Sequence, residues 1–299
     1  TLAIAMSLSY ADKTSMKKLS LLLSALLLQG CFQTIAIRTM GGIMDYGLEA
    51  FNEESDLKLA ESALGSNLKL VEALIKGDPE NKKLLLMAAQ GFNAYALAFA
   101  EDDSVERARG FYVRGRDYGM RVLIQNAEFK AAMDKDVTTF QSALMTFSKD
   151  DAPALFWTAF GWGSYVNISR SDVGAIADLP KVLAMMERVR QLDPTYYFGG
   201  PYLILGSIEG TMPKVLGGRP ERAKEYFDRA AELTGGKFLL TFVYYAKTYA
   251  VQTQDQVLFE TLLKKVDDAP ADILPEARLS NAIAKKKAKL LREHINDLF

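Results

Sequence analysis

Few residues of this chain could make or break bonds. His294 is the only histidine in 299 residues. A histidine-based metal site or proton relay would therefore rest on one imidazole in a Lys-rich C-terminal segment. The doublets Asp102-Asp103, Asp150-Asp151 and Asp267-Asp268 have the form of paired carboxylates for acid–base work. Each also falls at a junction between helical segments, where an aspartate satisfies orphan backbone amides. Lys285-Lys286-Lys287 with Lys289 reads as a solvated helix end, with an anionic membrane surface as the sharper alternative. There is no GxGxxG, no GxxxxGK[ST] and no CxxC. The chain reads as a non-enzyme with no catalytic residue, metal or cofactor.

Binding chemistry has better candidates. Two stretches, Leu84–Ala100 and Pro153–Ser169, contain no charged residue and mix large aromatics with isolated polar groups. Ligand sites are mainly apolar with a few placed hydrogen-bonding groups. On that ground Asn93, Tyr95, Trp157 and Tyr165 are expected to face a common cavity or channel. The alternative is a packed core whose polar groups are satisfied internally.

The sole cysteine has a different chemistry. In "MKKLSLLLSALLLQGC", Lys17 and Lys18 precede an apolar run from Leu19 to Leu28. That run is too short to span a bilayer, which takes about 20 residues, and has the form of an export signal. Leu28-Gln29-Gly30-Cys31 resembles a bacterial lipobox, with Gln29 departing from the usual small residue. Cys31 is the expected lipidation site. Phe32 follows it, rather than the aspartate that retains lipoproteins at the inner membrane. The expected location is the periplasmic face of the outer membrane. Residues 16–30 then read as a lipoprotein signal peptide, 1–15 as a spurious N-terminal extension, and 31–299 as a single all-helical repeat-like domain.

The elements that must position these residues are helices. Leu85, Ala88, Phe92, Tyr95 and Phe99 recur at 3,4,3,4, and Phe238, Phe242, Tyr245 and Tyr249 at 4,3,4. Asp78-Pro79, Asp103 with Glu106, and Asp151-Ala152-Pro153 read as helix starts. A membrane span over Leu84–Ala100 is the competing reading, against which stand Gln90, Gly91 and Asn93. The last helix is expected over about 271–298. No period-2 strand is evident. An apolar content of 49% supports a sizeable core. A net charge of −1 and a pI near 6.0 leave no basic excess for nucleic acid.

Antiparallel helices prompt a search for repeats. Trp157-x2-Phe160-Gly161 and Tyr202-x2-Leu205-Gly206 fit the first half of a tetratricopeptide unit. Ala223-x3-Phe227-x2-Ala230, Val182-x3-Met186-x2-Val189 and Ala108-x3-Tyr112-x2-Gly115 fit second halves. The expected fold is all-α, an array of antiparallel helical hairpins resembling divergent tetratricopeptide repeats.

The order "LLLMAAQGFNAYALAFAEDD", "RARGFYVRGRDYGMRVL", "ALFWTAFGWGSYV" and "QLDPTYYFGGPYLILGSIEGTMPKVLGGRPERAKEYFDRAAEL" resembles the TatT family. These are tetratricopeptide-repeat-like T-components associated with tripartite ATP-independent periplasmic (TRAP) transporters. The most specific element is Phe198-Gly199-Gly200-Pro201, then Leu205-Gly206, Pro213 and Leu216-Gly217-Gly218. The resemblance implies a lipid-anchored periplasmic homotrimer that binds the solute-binding protein of a TRAP system and holds or passes a small organic or apolar ligand. It carries over no catalytic residue. A lipid-anchored helical-repeat scaffold for envelope proteins, binding no small molecule, is the alternative.

Overall fold

A computed structural model describes residues 41–212, 214, 218–270 and 272–299. The expectations for residues 1–30, for Cys31 and for Pro213, Leu216 and Gly217 lie outside the described residues. Within them the fold is all-helical, with no strand.

Helix α1 spans Gly41–Asn52 and α2 Leu57–Gly77. Asp56 caps α2, accepting from the amides of Lys58 and Leu59. Leu64, Leu68, Val71 and Ile75 form its buried stripe. Helix α3, Lys82–Tyr95, runs on as a π turn over Ala96–Ala100. Its cap is Asn81, whose Oδ1 accepts from Leu84 N, not Asp78. Asp78 lies before the helix and accepts from Asn81 Nδ2. Helix α4, Val105–Leu123, is capped by Ser104, the last residue of the Asp102-Asp103-Ser104 junction, rather than by the Asp103 that pairs with Glu106 in sequence.

The charge-free stretch of α3 is buried, with Leu85, Ala88, Phe92 and Ala96 essentially inaccessible. Among the described residues no helix is long and apolar enough to cross a membrane. A helix apolar on most sides is here the inner helix of a bundle.

Two short helices, α5 (Ala127–Ala132) and α6 (Val137–Leu144), lead to α7, Ala152–Ile168. Helix α7 packs most closely on α4. The reason is small residues: a Cβ on Gly119 would come within 2.2 Å of Thr158 Oγ1, and one on Gly161 within 3.0 Å of Arg116 N and Tyr112 O. The short α8 (Val173–Ala177) precedes α9, Leu179–Leu192.

Helix α10 is Tyr196–Thr211, but its first turn is left-handed at Tyr197 (φ 45°), Phe198 (φ 59°) and Gly199 (φ 76°). Only Gly199 adopts that conformation without steric cost. Helix α11 spans Pro220–Leu233 and buries Ala223, Phe227 and Ala230. Helix α12, Leu240–Tyr245, continues as a second π turn over Ala246–Ala250 and is followed by α13, Gln256–Asp268. Helix pairs adjacent in sequence pack together, as α3 with α4, α10 with α11 and α12 with α13 do.

Helix α14, Arg278–Glu293, is shorter than the sequence suggests. Pro275 disfavours helical geometry at Leu274, which is extended (φ −141°, ψ 86°), and a single 3-10 turn follows over Pro275–Ala277. The lysine run on α14 is not a solvated end. Lys287 is 5% exposed and bonds Asp102 at 2.9 Å. Lys285 Nζ donates to the carbonyls of Val266, Asp267 and Ala269 where α13 ends. Lys286 reaches Ala98 O near the end of the first π turn. Three successive cations thus tie α14 to the negative ends of two other helices. Lys289 alone stays in solvent.

Candidate functional site

An apolar concavity lies behind α1. It has a volume of about 260 Å³ and is walled by residues of α1, α2, α3, α7, α10, α12 and α14. Helix α3 contributes Met87, Gln90, Gly91, Ala94 and Leu97, a 3,1,3,3 series on one flank. Phe92 and Ala96 face the bundle instead. Helix α7 adds Phe156, Trp157 and Phe160; the left-handed turn adds Tyr197; Phe238, Tyr244 and Ile283 close the far side.

No side chain lining this cavity carries a formal charge. Its polar groups are the amides of Asn52, Asn67 and Gln90, the hydroxyls of Tyr197, Tyr244 and Ser280, and the Trp157 indole. Burial pushes the Tyr197 hydroxyl up from its ordinary range. Tyr244 goes well above it, through burial and then the nearby Glu101 and Asp102 carboxylates. Both phenols therefore stay protonated and can donate.

Of the four residues singled out in the sequence, the structure brings Trp157 to this cavity and leaves Asn93, Tyr95 and Tyr165 off its walls. Trp157 Nε1 donates to the Tyr196 hydroxyl at 3.0 Å, and its ring packs edge-on against Tyr197 at 4.9 Å. Asn93 is fully buried, and its Nδ2 donates to Trp157 O at 2.8 Å. Its Oδ1 has no hydrogen-bond partner and rests against the Cα positions of Gly115 and Gly161, where weak Cα–H contacts are the only donors at hand. Asn93 thus fixes the approach of three helices. Tyr95 stacks edge-on with Phe99 and Phe111. Tyr165 is half-buried beside the core.

Sequence reasoning passed over Met87, Gly91, Ala94 and Leu97, which are pale next to their aromatic neighbours. It also passed over Tyr197, whose signal was present in the Phe198-Gly199-Gly200-Pro201 motif beside it.

A second, open hollow of about 830 Å³ adjoins the first and shares Leu48, Asn52, Gln90 and Tyr197 with it. Asp45, Glu49, Glu276 and Lys237 ring this outer vestibule. The four shared residues mark the boundary between polar vestibule and apolar interior.

Near the far wall lies a buried charge network. Glu101 accepts from the Tyr112 hydroxyl at 2.6 Å and pairs with Lys247 at 3.1 Å. Burial alone would raise the Glu101 carboxyl. Lys247, Lys287 and the Tyr112 bond outweigh it and hold the group below its ordinary value. Asp102, expected as a cap or a catalytic carboxylate, is instead the partner of Lys287 and Lys286. Asp151 bonds Ser148, and Asp267 and Asp268 pair with Arg292 and Lys264. Every doublet thus has a member engaged structurally. Among the described residues no group of three or more His, Cys, Asp or Glu could hold a metal ion.

Comparison with known proteins adds two findings. A family model described as TRAP transporter T-component matches residues 53–299. The chain is also similar to a protein of Treponema pallidum (strain Nichols), described as uncharacterized. The two are 23% identical over 265 residues, covering 83% of this chain and 82% of that protein.

Proposed function

Since the chain belongs to the TRAP transporter T-component family, we propose that it works as an accessory that binds the solute-binding protein of a TRAP system and holds or passes a small apolar ligand. Membership in the family implies a component of a transport system at the bacterial envelope. The observation that carries the ligand reading is the cavity of about 260 Å³ with uncharged walls. An apolar hollow of that size is far larger than the space a single water needs. Few soluble folds leave such a space empty in a close-packed interior. Its hydroxyls and amides suit a neutral molecule with one or two hydrogen-bonding groups.

The test is native mass spectrometry of the full chain purified from its own periplasm, combined with a tagged pull-down. A bound neutral apolar compound and a co-purifying TRAP solute-binding protein are the expected results. An empty cavity together with a different set of envelope partners would favour the scaffold reading.

The same proposal includes an anchor and an assembly. Lipidation at Cys31 would tether the chain to the outer membrane, and Cys31→Ser should abolish labelling by radioactive palmitate. The family resemblance points to a homotrimer, and closed cyclic symmetry is the usual form of soluble oligomers. Light scattering of the chain from residue 32 onward should return three times the protomer mass.

A further inference from the structure

Helix α1 stands apart from the rest of the cavity wall in three ways. It lies outside the family match, which begins at residue 53. Its apolar residues Met44, Leu48 and Phe51, spaced 4 and 3, all line the cavity, while Asp45, Tyr46 and Glu49 face solvent. From Met44 onward none of its residues is fully buried. Its main packing neighbours are α14 and the turn at Pro275–Ala277. Among the described residues its polar ties include an exposed ion pair between Asp45 and Lys83 and, just past its end, a bond from Arg278 to Glu53 O. A helix seated over a hollow, with few buried contacts among the described residues and solvent-exposed ties, belongs to the low-stability end of a fold. Exposed ion pairs add little to hold it.

Across the boundary from α1 is the left-handed turn. Tyr197 packs on Trp157, and Phe198 stacks on Phe238 at 4.9 Å. Two aromatic residues in that backbone region cost about 1–2 kcal/mol each, a strain found where a structure clamps or switches. The turn is held by its aromatic packing and a Gly199 N to Thr195 O bond. The fixed side of the mouth is therefore rigid and the α1 side loose.

We propose that α1 is a lid: it covers one side of the apolar cavity in this state and swings out about residues 53–56, widening the opening towards the vestibule beside Tyr197. What passes the lid rests on the ligand-holding reading above; the opening itself does not. The hinge is short and lacks helical structure from Glu53 to Asp56. The family portion of the chain supplies the other walls, so the lid is an addition at the N-terminal side that sets access without altering the cavity.

The experiment uses the Trp162→Phe variant, in which Trp157 is the only indole, since the chain has two tryptophans. Leu48→Asp places a charge on the cavity face of α1, and Tyr46→Asp places the same charge on its 74%-exposed face. Two readouts are taken: acrylamide quenching of Trp157, and stopped-flow uptake and release of the neutral dye N-phenyl-1-naphthylamine. Leu48→Asp should raise the quenching constant severalfold and speed dye uptake and release at least tenfold, with the thermal melt unchanged. Tyr46→Asp should match the parent in both. Parental quenching in Leu48→Asp overturns the lid, whatever the dye does. A dye that binds none of the proteins, with quenching raised in Leu48→Asp alone, leaves the lid standing and removes the ligand reading.

Discussion

Tyr95-Ala96-Leu97-Ala98-Phe99-Ala100 and Tyr245-Ala246-Lys247-Thr248-Tyr249-Ala250 sit in corresponding places of two hairpins. Each closes its helix with a π turn: Glu101 N donates to Ala96 O, and Val251 N to Ala246 O. The alanines at both ends of both turns are completely buried, so close approach of a neighbouring helix is common to the two copies. Just before the turns, Ala94 and Tyr244 occupy matching positions, and both line the apolar cavity. Two of the differences between the copies decide their roles. Leu97 lines the cavity, while its counterpart Lys247 bonds Glu101. Glu101 is largely buried and charged, with 13% of its side chain exposed, while its counterpart is Val251. The carboxylate peculiar to the first copy is thus neutralised by the ammonium peculiar to the second. One backbone device serves both a ligand wall and a charge lock, and single side chains decide which. π turns are rare and concentrate at functional sites, and here both flank the same cavity.

A large effect should come from the lock. Replacing Lys287, whose side chain is 6% exposed, leaves Asp102 with only Lys286 at 3.8 Å. Lys287→Met should destabilise by about 1.5–3 kcal/mol, because it removes a charge-assisted hydrogen bond from Asp102, whose side chain stays 21% exposed beside Lys286. Lys247 is 39% exposed, and Glu101 would keep Tyr112, so Lys247→Leu should cost about 1 kcal/mol. Urea unfolding of both variants measures the gap. Equal losses would mean that the network is not graded by burial and that the two copies do not differ as described.

Next comes the first copy's own packing device, Asn93, where the second copy has Val243. Gly115→Ala should cost about 2–3 kcal/mol. The double variant with Asn93→Ala should recover most of that relative to Asn93→Ala alone, since the three atoms nearest the added methyl all belong to Asn93. Gly161→Ala should show little such recovery, because Arg116 N and Tyr112 O also stand 3.0 Å from its Cβ.

These two predictions show where the sequence could be read and where it could not. The 3,4 spacing of Leu85, Ala88, Phe92, Tyr95 and Phe99 is a local property, and the helix follows from it. Cap positions slipped by one to three residues because the junctions hold several capable side chains, as in Asp78-Pro79-Glu80-Asn81, and geometry chooses among them. The lysine run was misread because nothing local shows that α14 crosses the ends of two other helices. The role of Asn93 depends on glycines on two other helices, Gly115 and Gly161. The cavity took the plainest flank of α3, where absence of bulk, not presence of aromatic or polar groups, makes the space. A void leaves no mark in composition.

A third prediction concerns pH and the outer flank of the first hairpin. Glu72 of α2 pairs with Lys69 and Arg114 and accepts from the Tyr118 hydroxyl at 2.8 Å. Burial would raise this carboxyl, but those partners bring it from 4.5 to about 2. Its ionised form therefore favours the folded state. The contribution is complete above pH 4.5 and is lost as pH falls towards 2. After solvent screening it amounts to about 1–2 kcal/mol. Glu72→Gln should lower stability at pH 7 and flatten its fall between pH 4.5 and 2. The second hairpin offers no such partner set in place of Glu72, so acid should loosen the first hairpin before the second, as amide exchange would report.

The smallest effect separates the helices that follow the two π turns. Ser104 caps α4 through Oγ, 3.4 Å from Arg107 N, while Asp255 caps α13 through Oδ1, 2.9 Å from Leu258 N. A hydrogen bond of 3.4 Å is long and weak, whereas an anionic acceptor at 2.9 Å also interacts with the helix dipole. Helix α4 has Glu106 in its first turn to supply negative charge in any case, and α13 has no acidic residue there. Ser104→Ala should therefore cost about 0.5 kcal/mol and Asp255→Ala about 1–1.5 kcal/mol. Salt distinguishes the causes. Raising ionic strength to about 1 M shortens the screening length to about 3 Å, which should shrink the Asp255→Ala loss by a few tenths of a kcal/mol and leave Ser104→Ala unchanged. If both losses are equal and insensitive to salt, the charge on Asp255 contributes nothing, and the second copy's cap is a plain hydrogen bond like the first.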